Sequence, residues 1–197
     1  MNMIPKKIYL KDYCVPDYLI PQVHLEFDVV SNHKIIATNT MTIRPNPDAK
    51  GNNALCLNGD RSFLSLDTVS VNDIPIDTYA LTENSLTLER YSTKITIKIV
   101  TSFDPSKNLA LEGIYMSDGI LCSQNEPEGF RRITYFIDRP DVMSRYQVTI
   151  KADYSTYPIL LSNGNKISAS KLDNGRHQVS WEDPFPKPCY LFAFVAG

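Results

Sequence analysis

The strongest constraint on this chain is a hydrophobic period of two. Val23, Leu25, Phe27 and Val29 alternate with His24, Glu26 and Asp28, and the alternation resumes at Ile35, Ala37 and Met41 to Ile43 after Ser31-Asn32-His33-Lys34. An extended backbone throws successive side chains to opposite faces, so this pattern predicts a hairpin with one buried and one wet face. Ile95, Ile97 and Ile99 alternate with Thr96 and Lys98, and Tyr146, Val148, Ile150 and Ala152 with Gln147, Thr149 and Lys151. Further strands are predicted over 54–57, 63–71, 86–88, 132–136, 158–161, 178–181 and 190–195. The Asn-Gly pairs at 58–59, 163–164 and 174–175 suit type I′ hairpin turns, in which both central residues take positive φ. The 13 Pro are scattered, and no stretch carries a clean 3.6-residue apolar stripe. Only 141–145, after Pro140, has room for one helical turn. The pattern therefore predicts an all-β fold, a sandwich or open barrel of many short strands.

Charge and length exclude several function classes. The chain has 197 residues, with 20 Lys+Arg against 22 Asp+Glu. One domain is the expectation at that length. A near-neutral balance gives neither the basic footprint of a nucleic-acid binder nor a polybasic membrane anchor. The longest uncharged apolar run, Cys189 to Gly197, is far short of the ~20 residues a helical span needs. No apolar secretory core lies near Lys6, Lys7 and Lys11. Cys14, Cys56, Cys122 and Cys189 lie far apart, without CxxC spacing, and read as reduced thiols of a cytoplasmic protein. His24, His33 and His177 share no metal-ligand spacing, and no HExxH, GxGxxG or GxxxxGK[ST] occurs. The chain shows no complete catalytic apparatus. It stops at Phe194-Val195-Ala196-Gly197, directly after an apolar strand. The pattern suits equally a true terminal strand and a piece cut from something longer.

The informative segment is Leu121-Cys122-Ser123-Gln124-Asn125-Glu126-Pro127-Glu128-Gly129-Phe130-Arg131-Arg132, unusually polar for a stretch between apolar strands. On an extended backbone Gln124, Glu126 and Glu128 project to one side. A carbonyl beside carboxylates suits a cationic amine, whose ammonium has three donors and no acceptor. The competing reading is a solvated edge strand whose carboxylates pair with Arg131, Arg132, Arg139 or Arg145.

The same segment carries a resemblance. Cys-Ser-Gln-Asn-Glu-Pro-Glu-Gly-Phe-Arg-Arg-Ile-Thr-Tyr-Phe-Ile-Asp-Arg-Pro-Asp-Val, Cys122 to Val142, resembles the N-terminal domain of bacterial aminopeptidase N, the alanyl aminopeptidase of the gluzincin metalloaminopeptidase family. Colinear stretches continue it from about Asp12 to Gly197: Asp12-Tyr13 with Pro16-Asp17-Tyr18, Leu57-Asn58-Gly59, Asn108 to Gly113, Leu160 to Asn165, Asn174 to His177, and Asp183 to Phe192. The resemblance implies a saddle-like, mostly antiparallel β domain spanning residues 1–197, non-catalytic and inactive alone. The zinc, its HExxH ligands, the downstream Glu and a GxMEN motif would lie in a catalytic domain beyond Gly197, making this chain a truncated piece. By the same resemblance Gln124 and Glu126 grip the free α-amine of a peptide substrate. No zinc is expected within this chain, and no nucleic-acid or membrane partner. Asn125 and Pro127 stand where related members often carry Cys, Phe or Ala, and are expected to face away from the pair. Glu128 is expected to make an internal ion pair with an Arg. Cys122 is read as a small buried filler, and Trp181, Phe185, Tyr190, Phe192 and Phe194 as core. The alternative to the whole reading is a stand-alone β-sandwich binding module, or a scaffold beside a degenerate catalytic neighbour.

Overall fold

Alternation governs the structure where the sequence predicts it. The computed structural model describes residue 7, residues 9–51 and residues 53–197. The strands are β1 (Tyr18–Ser31), β2 (Lys34–Pro45), β3 (Leu55–Asn58), β4 (Ser65–Val71), β5 (Ile74–Pro75), β6 (Ala80–Leu81), β7 (Ser85–Leu88) and β8 (Ile95–Phe103). They continue with β9 (Gly113–Ser117), β10 (Ile120–Gln124), β11 (Ser144–Asp153), β12 (Leu160–Ser162), β13 (Asn165–Lys171), β14 (Arg176–Lys187) and β15 (Phe194–Ala196). They build an eight-stranded sheet ordered β13-β14-β11-β1-β2-β8-β4-β5, a four-stranded sheet β12-β15-β10-β9, and a three-stranded sheet β3-β7-β6. Among the described residues no sheet closes into a barrel. All strand pairs are antiparallel except β1 with β11.

Cross-strand register aligns the predicted apolar positions into rows. Ile97, Met41, Val23 and Tyr146 form one row across the large sheet, and Thr101, Ala37, Phe27, Ile150 and Val179 another. These side chains are buried and, apart from the polar Thr101, belong to one continuous cluster that also takes Leu55, Leu57, Leu86 and Leu88 from the three-stranded sheet and Leu121, Leu160 and Ala196 from the four-stranded sheet. The opposite face of the large sheet is polar: Gln22, Glu26, Thr40, Thr42, Lys98, Arg145 and Gln147 lie there half-buried or exposed. Charges on it pair with one another, Lys151 with Glu26 at 3.2 Å and Arg176 with Asp28.

Several predicted elements differ. Residues 132–136 are not a strand. Phe130–Arg132 is a 3₁₀ turn, and only Phe136 bridges, to Asn58. Burial here is continuous over Ile133 to Asp138, without alternation, because the segment crosses between sheets. Its carbonyls need partners away from water. Two polar residues in the apolar face of the large sheet supply them: Thr101 donates to the Ile133 carbonyl at 2.9 Å, and Asn39 to that of Tyr135 at 3.3 Å. Residues 141–145 make no helix; a turn closes at Val142 N–H to Arg139 C=O, 3.2 Å, and β11 follows. Residues 190–195 split into a 3₁₀ turn, Cys189–Leu191, and the short β15. Of the three Asn-Gly pairs only Asn174-Gly175 has both residues at positive φ; Asp118-Gly119 makes the same turn between β9 and β10, and Asn72-Asp73 joins β4 to β5. Phe185, expected in the core, is 74% exposed, whereas Phe192 and Phe194 are buried. Among the described residues no helix is long and apolar enough to cross a membrane.

Candidate functional site

The polar segment begins as an ordinary strand. β10 lies between β9 and β15, so it is internal to its sheet and not an edge. Leu121 aligns with Ala196 and Met116, and Cys122 with Val195 and Tyr115. Leu121 and Ala196 face the core, so Ile120, Cys122 and Gln124 face outward. Cys122 is therefore a half-buried outer-face residue rather than a core filler. Gln124 is the last residue in register, opposite Gly113.

Beyond Gln124 the alternation persists for two residues. Asn125 is buried, and Gln124 and Glu126 on either side of it are exposed. Asn125 enforces this arrangement, since its Nδ2 donates to the Phe192 carbonyl at 2.8 Å. The chain then turns sharply, with the Gly129 N–H on the Asn125 carbonyl at 2.9 Å. A Cβ at Gly129 would lie 2.6 Å from the Gln124 carbonyl oxygen and 2.9 Å from Asn125 Cα. No side chain fits so close to backbone, so glycine is required there. Phe130 anchors the far end of the turn, packing edge-on against Phe136 and Phe192 at centroid distances of 5.1 and 5.5 Å.

Charge pairing around the turn is selective. Glu128 meets Arg131 at 3.2 Å, as expected, and Arg131 Nε also holds the buried Asp138 at 2.9 Å. Asp138 accepts the Arg131 backbone N–H as well, and the Cys189 thiol donates to its other oxygen at 3.1 Å. Burial, and then the neighbouring Asp138 carboxylate, push the Cys189 thiol far above its ordinary range, so it stays protonated. Arg132 pairs with Asp60 at 2.9 Å and lies over the Phe63 ring. Arg139 forks onto Asp141 at 2.8 and 2.6 Å, and Tyr13 donates to the same carboxylate at 2.9 Å. Glu126 has no such cation among the described residues, and neither it nor Gln124 engages its side chain in a hydrogen bond there. The tip therefore offers an uncompensated carboxylate and an amide carbonyl to solvent. A ligand ammonium is the complementary charge and donor set.

Glu126 borders a recess of about 390 Å³ with Pro127, Glu128, Pro140 and Tyr190. Pro127 thus shares the Glu126 side, contrary to expectation, whereas Asn125 does face away. Gln124 is not part of the recess lining. Sequence reasoning missed Pro140 and Tyr190, which reach the recess from separate turns and carry no local signal. Among the described residues no group of three or more His, Cys, Asp or Glu side chains is placed to hold a metal ion.

Comparison with known proteins gives a consistent set of relatives. Residues 18–191 match the family model of the peptidase M1 N-terminal domain. The chain is 43% identical over 197 residues to aminopeptidase N of Escherichia coli (strain K12), covering all of this chain and 22% of that protein. It is likewise 43% identical over 198 residues to aminopeptidase N of Haemophilus influenzae, covering 99% of this chain and 22% of that protein. The chain thus spans about a fifth of the length of the curated relatives it matches. Among solved structures, Legionella pneumophila aminopeptidase A in complex with aspartic acid superposes with a TM-score of 0.88 at 36% identity, over 95% of this chain and 22% of that one. An M1 zinc metallopeptidase variant from Deinococcus radiodurans, bound to a Tyr-Ser-Ala substrate, shares the fold with a TM-score of 0.77 at 15% identity, over 92% of this chain and 42% of that one.

Proposed function

The chain belongs to the peptidase M1 N-terminal domain family, and we propose that residues 1–197 are the substrate-anchoring domain of a longer zinc metalloaminopeptidase. That enzyme removes N-terminal amino acids from peptides in the cytoplasm. Its catalytic domain follows residue 197 and supplies the zinc, the ligands and the hydrolytic base. This domain contributes binding: Gln124 and Glu126 accept hydrogen bonds from the peptide's free ammonium. Holding the amine fixes the position of the first peptide carbonyl relative to the catalytic domain, which is catalysis by positioning. The four cysteines, all unpaired in the structure, fit a reducing compartment.

The observation that carries the reading is the electrostatic isolation of Glu126. Glu128, Asp138, Asp60 and Asp141 nearby each have an arginine partner, and Glu126 is left with none among the described residues. An exposed carboxylate is common, but here it stands on a turn that Asn125, Gly129 and Phe130 hold rigid.

The test is Glu126→Ala in the full-length enzyme, assayed with free-amine aminoacyl-arylamides. A charge-assisted hydrogen bond contributes about 1.5–3 kcal/mol, so kcat/KM should fall roughly 10- to 150-fold. Wild-type kcat/KM in that variant removes Glu126 from amine binding.

A further inference from the structure

The polar face of the large sheet holds a recess of about 480 Å³ over β14, β11, β1 and β2. Two register rows line it. Glu182, Gln147, His24 and Thr40 align across the four strands. Arg145, Gln22 and Thr42 form the row beside them, two residues along β11, β1 and β2, and so share their face. Strand pairing is irregular at this end of the sheet, between Leu19 and Gln22 against β2 and between Ser144 and Tyr146 against β14. Bulges of this kind bend a strand, re-aim its side chains and recur beside functional sites.

The surroundings of the recess satisfy themselves, and its lining does not. On the next row Thr149 and Ser180 share a hydrogen bond of 3.0 Å, and Lys151 reaches Glu26 at 3.2 Å. At the rim Asp183 pairs with Lys187. None of the seven side chains in the two rows makes a hydrogen bond or ion pair among the described residues. For an exposed amide or hydroxyl this is ordinary. For His24 it is not, because its Nε2 is shielded from solvent and still has no partner among the described residues. Buried polar groups are almost always hydrogen-bonded, so this atom lacks a partner that the fold does not supply.

Charge narrows the class of ligand. Arg145 and Glu182 are both exposed, one in each row, and neither has a counter-ion among the described residues. A simple anion at Arg145 would also meet the Glu182 carboxylate, and a simple cation at Glu182 would meet the guanidinium. A small molecule with both charges answers both, its carboxylate toward Arg145 and its ammonium toward Glu182. Between them the rows offer amides, hydroxyls and an imidazole, and no aliphatic side chain. The volume falls within the roughly 300–1,000 Å³ of small-molecule sites.

We propose that this recess binds a free α-amino acid with a small polar side chain. Arg145 holds the carboxylate, Glu182 holds the ammonium, and Gln147 and His24 meet the polar groups between. The site stands on these residues alone and does not depend on the role proposed for Gln124 and Glu126.

Calorimetric titration of L-serine into the full-length protein tests this, with the catalytic site filled beforehand by a peptide hydroxamate. One molecule should bind per chain. Arg145→Gln and Glu182→Gln alter exposed side chains without partners, and each should weaken binding at least about tenfold, the loss of one charge-assisted contact. N-acetyl-L-serine and L-serinamide each lack one of the two charges and should bind at least about tenfold more weakly than L-serine. Absence of binding overturns the proposal, as does binding that neither substitution weakens. N-acetyl-L-serine binding as tightly as L-serine overturns it too, by showing an anion site. Binding that Glu126→Ala removes and Arg145→Gln spares belongs to the anchoring pair; it overturns this proposal and supports the function proposed above.

Discussion

The large and small sheets share one core and differ in their outer faces. On the large sheet that face is threonine, glutamine and charge, with Lys151–Glu26 and Arg176–Asp28 pairs that satisfy one another. On the small sheet it is Ile159, Leu161, Val195, Cys122 and Ile120, with Gln124 and Glu126 at one end, their side chains without partners among the described residues. The outer face of the large sheet pairs part of its charge within itself, while the buried His24 Nε2 on it has no hydrogen-bond partner among the described residues. The small sheet presents apolar surface and, beside it, a carboxylate with no cationic partner among the described residues.

The connection between the two sheets is the first place to break this contrast. Phe130, fully buried, joins the turn over residues 125–129 to Tyr146 of the large sheet and to Phe192 beside the small one. Phe130→Ala should cost about 3–5 kcal/mol in denaturant unfolding, by lost burial plus the cavity left behind. A loss below 1 kcal/mol would mean that the turn is not braced by the core.

A smaller effect is expected at the turn itself. Gly129→Ala forces a Cβ against the Gln124 and Asn125 backbone, and overpacking of this kind costs about 1–3 kcal/mol. In the full-length enzyme the displaced tip should raise KM for free-amine substrates while circular dichroism stays native. Unchanged KM would show that the tip's backbone geometry is not part of substrate binding.

Smaller still is the clasp at Asp141. Partial burial pushes this carboxyl up, but hydrogen bonds from Arg139 and Tyr13 outweigh it and hold its pKa below the ordinary value. A depressed folded-state pKa stabilises the fold above the unfolded pKa of about 3.9, and the contribution fades as pH falls through the lower folded value. Asp141→Asn should therefore cost about 0.5–1 kcal/mol at pH 7, given the pair's partial exposure. The difference from wild type should vanish in strong acid, as followed by urea melts across pH. A difference that persists there would assign the effect to packing. Last comes Ile167→Ser on β13, an edge strand exposed along its whole length, which should change stability by less than about 0.5 kcal/mol. A larger loss would mean that this edge of the scaffold has an apolar contact of its own.

The sequence alone carried the strands with strict alternation. β1, β2, β8 and β11 were legible because one wet face forces a polar residue at every second position. β13 was not, since with both faces exposed it has no apolar register to read. Residues 132–136 were misread as a strand because their apolar residues recur for a different reason, burial on all sides of a segment crossing the core.

What only the tertiary structure decided is which polar groups are satisfied. The sequence places Gln124, Glu126 and Glu128 together and four arginines within reach of them. An ion pair of Glu128 with an arginine is expected from the sequence, but only the fold decides that the partner is Arg131 and that Glu126 meets none among the described residues. Asn125 is held by a carbonyl 67 residues away, and Asn39 reaches across 96 residues to the crossing segment. Alternation is a property of neighbours and survives in one dimension. Hydrogen-bond and charge partners are chosen by proximity in space, which exists only once the sheets have packed.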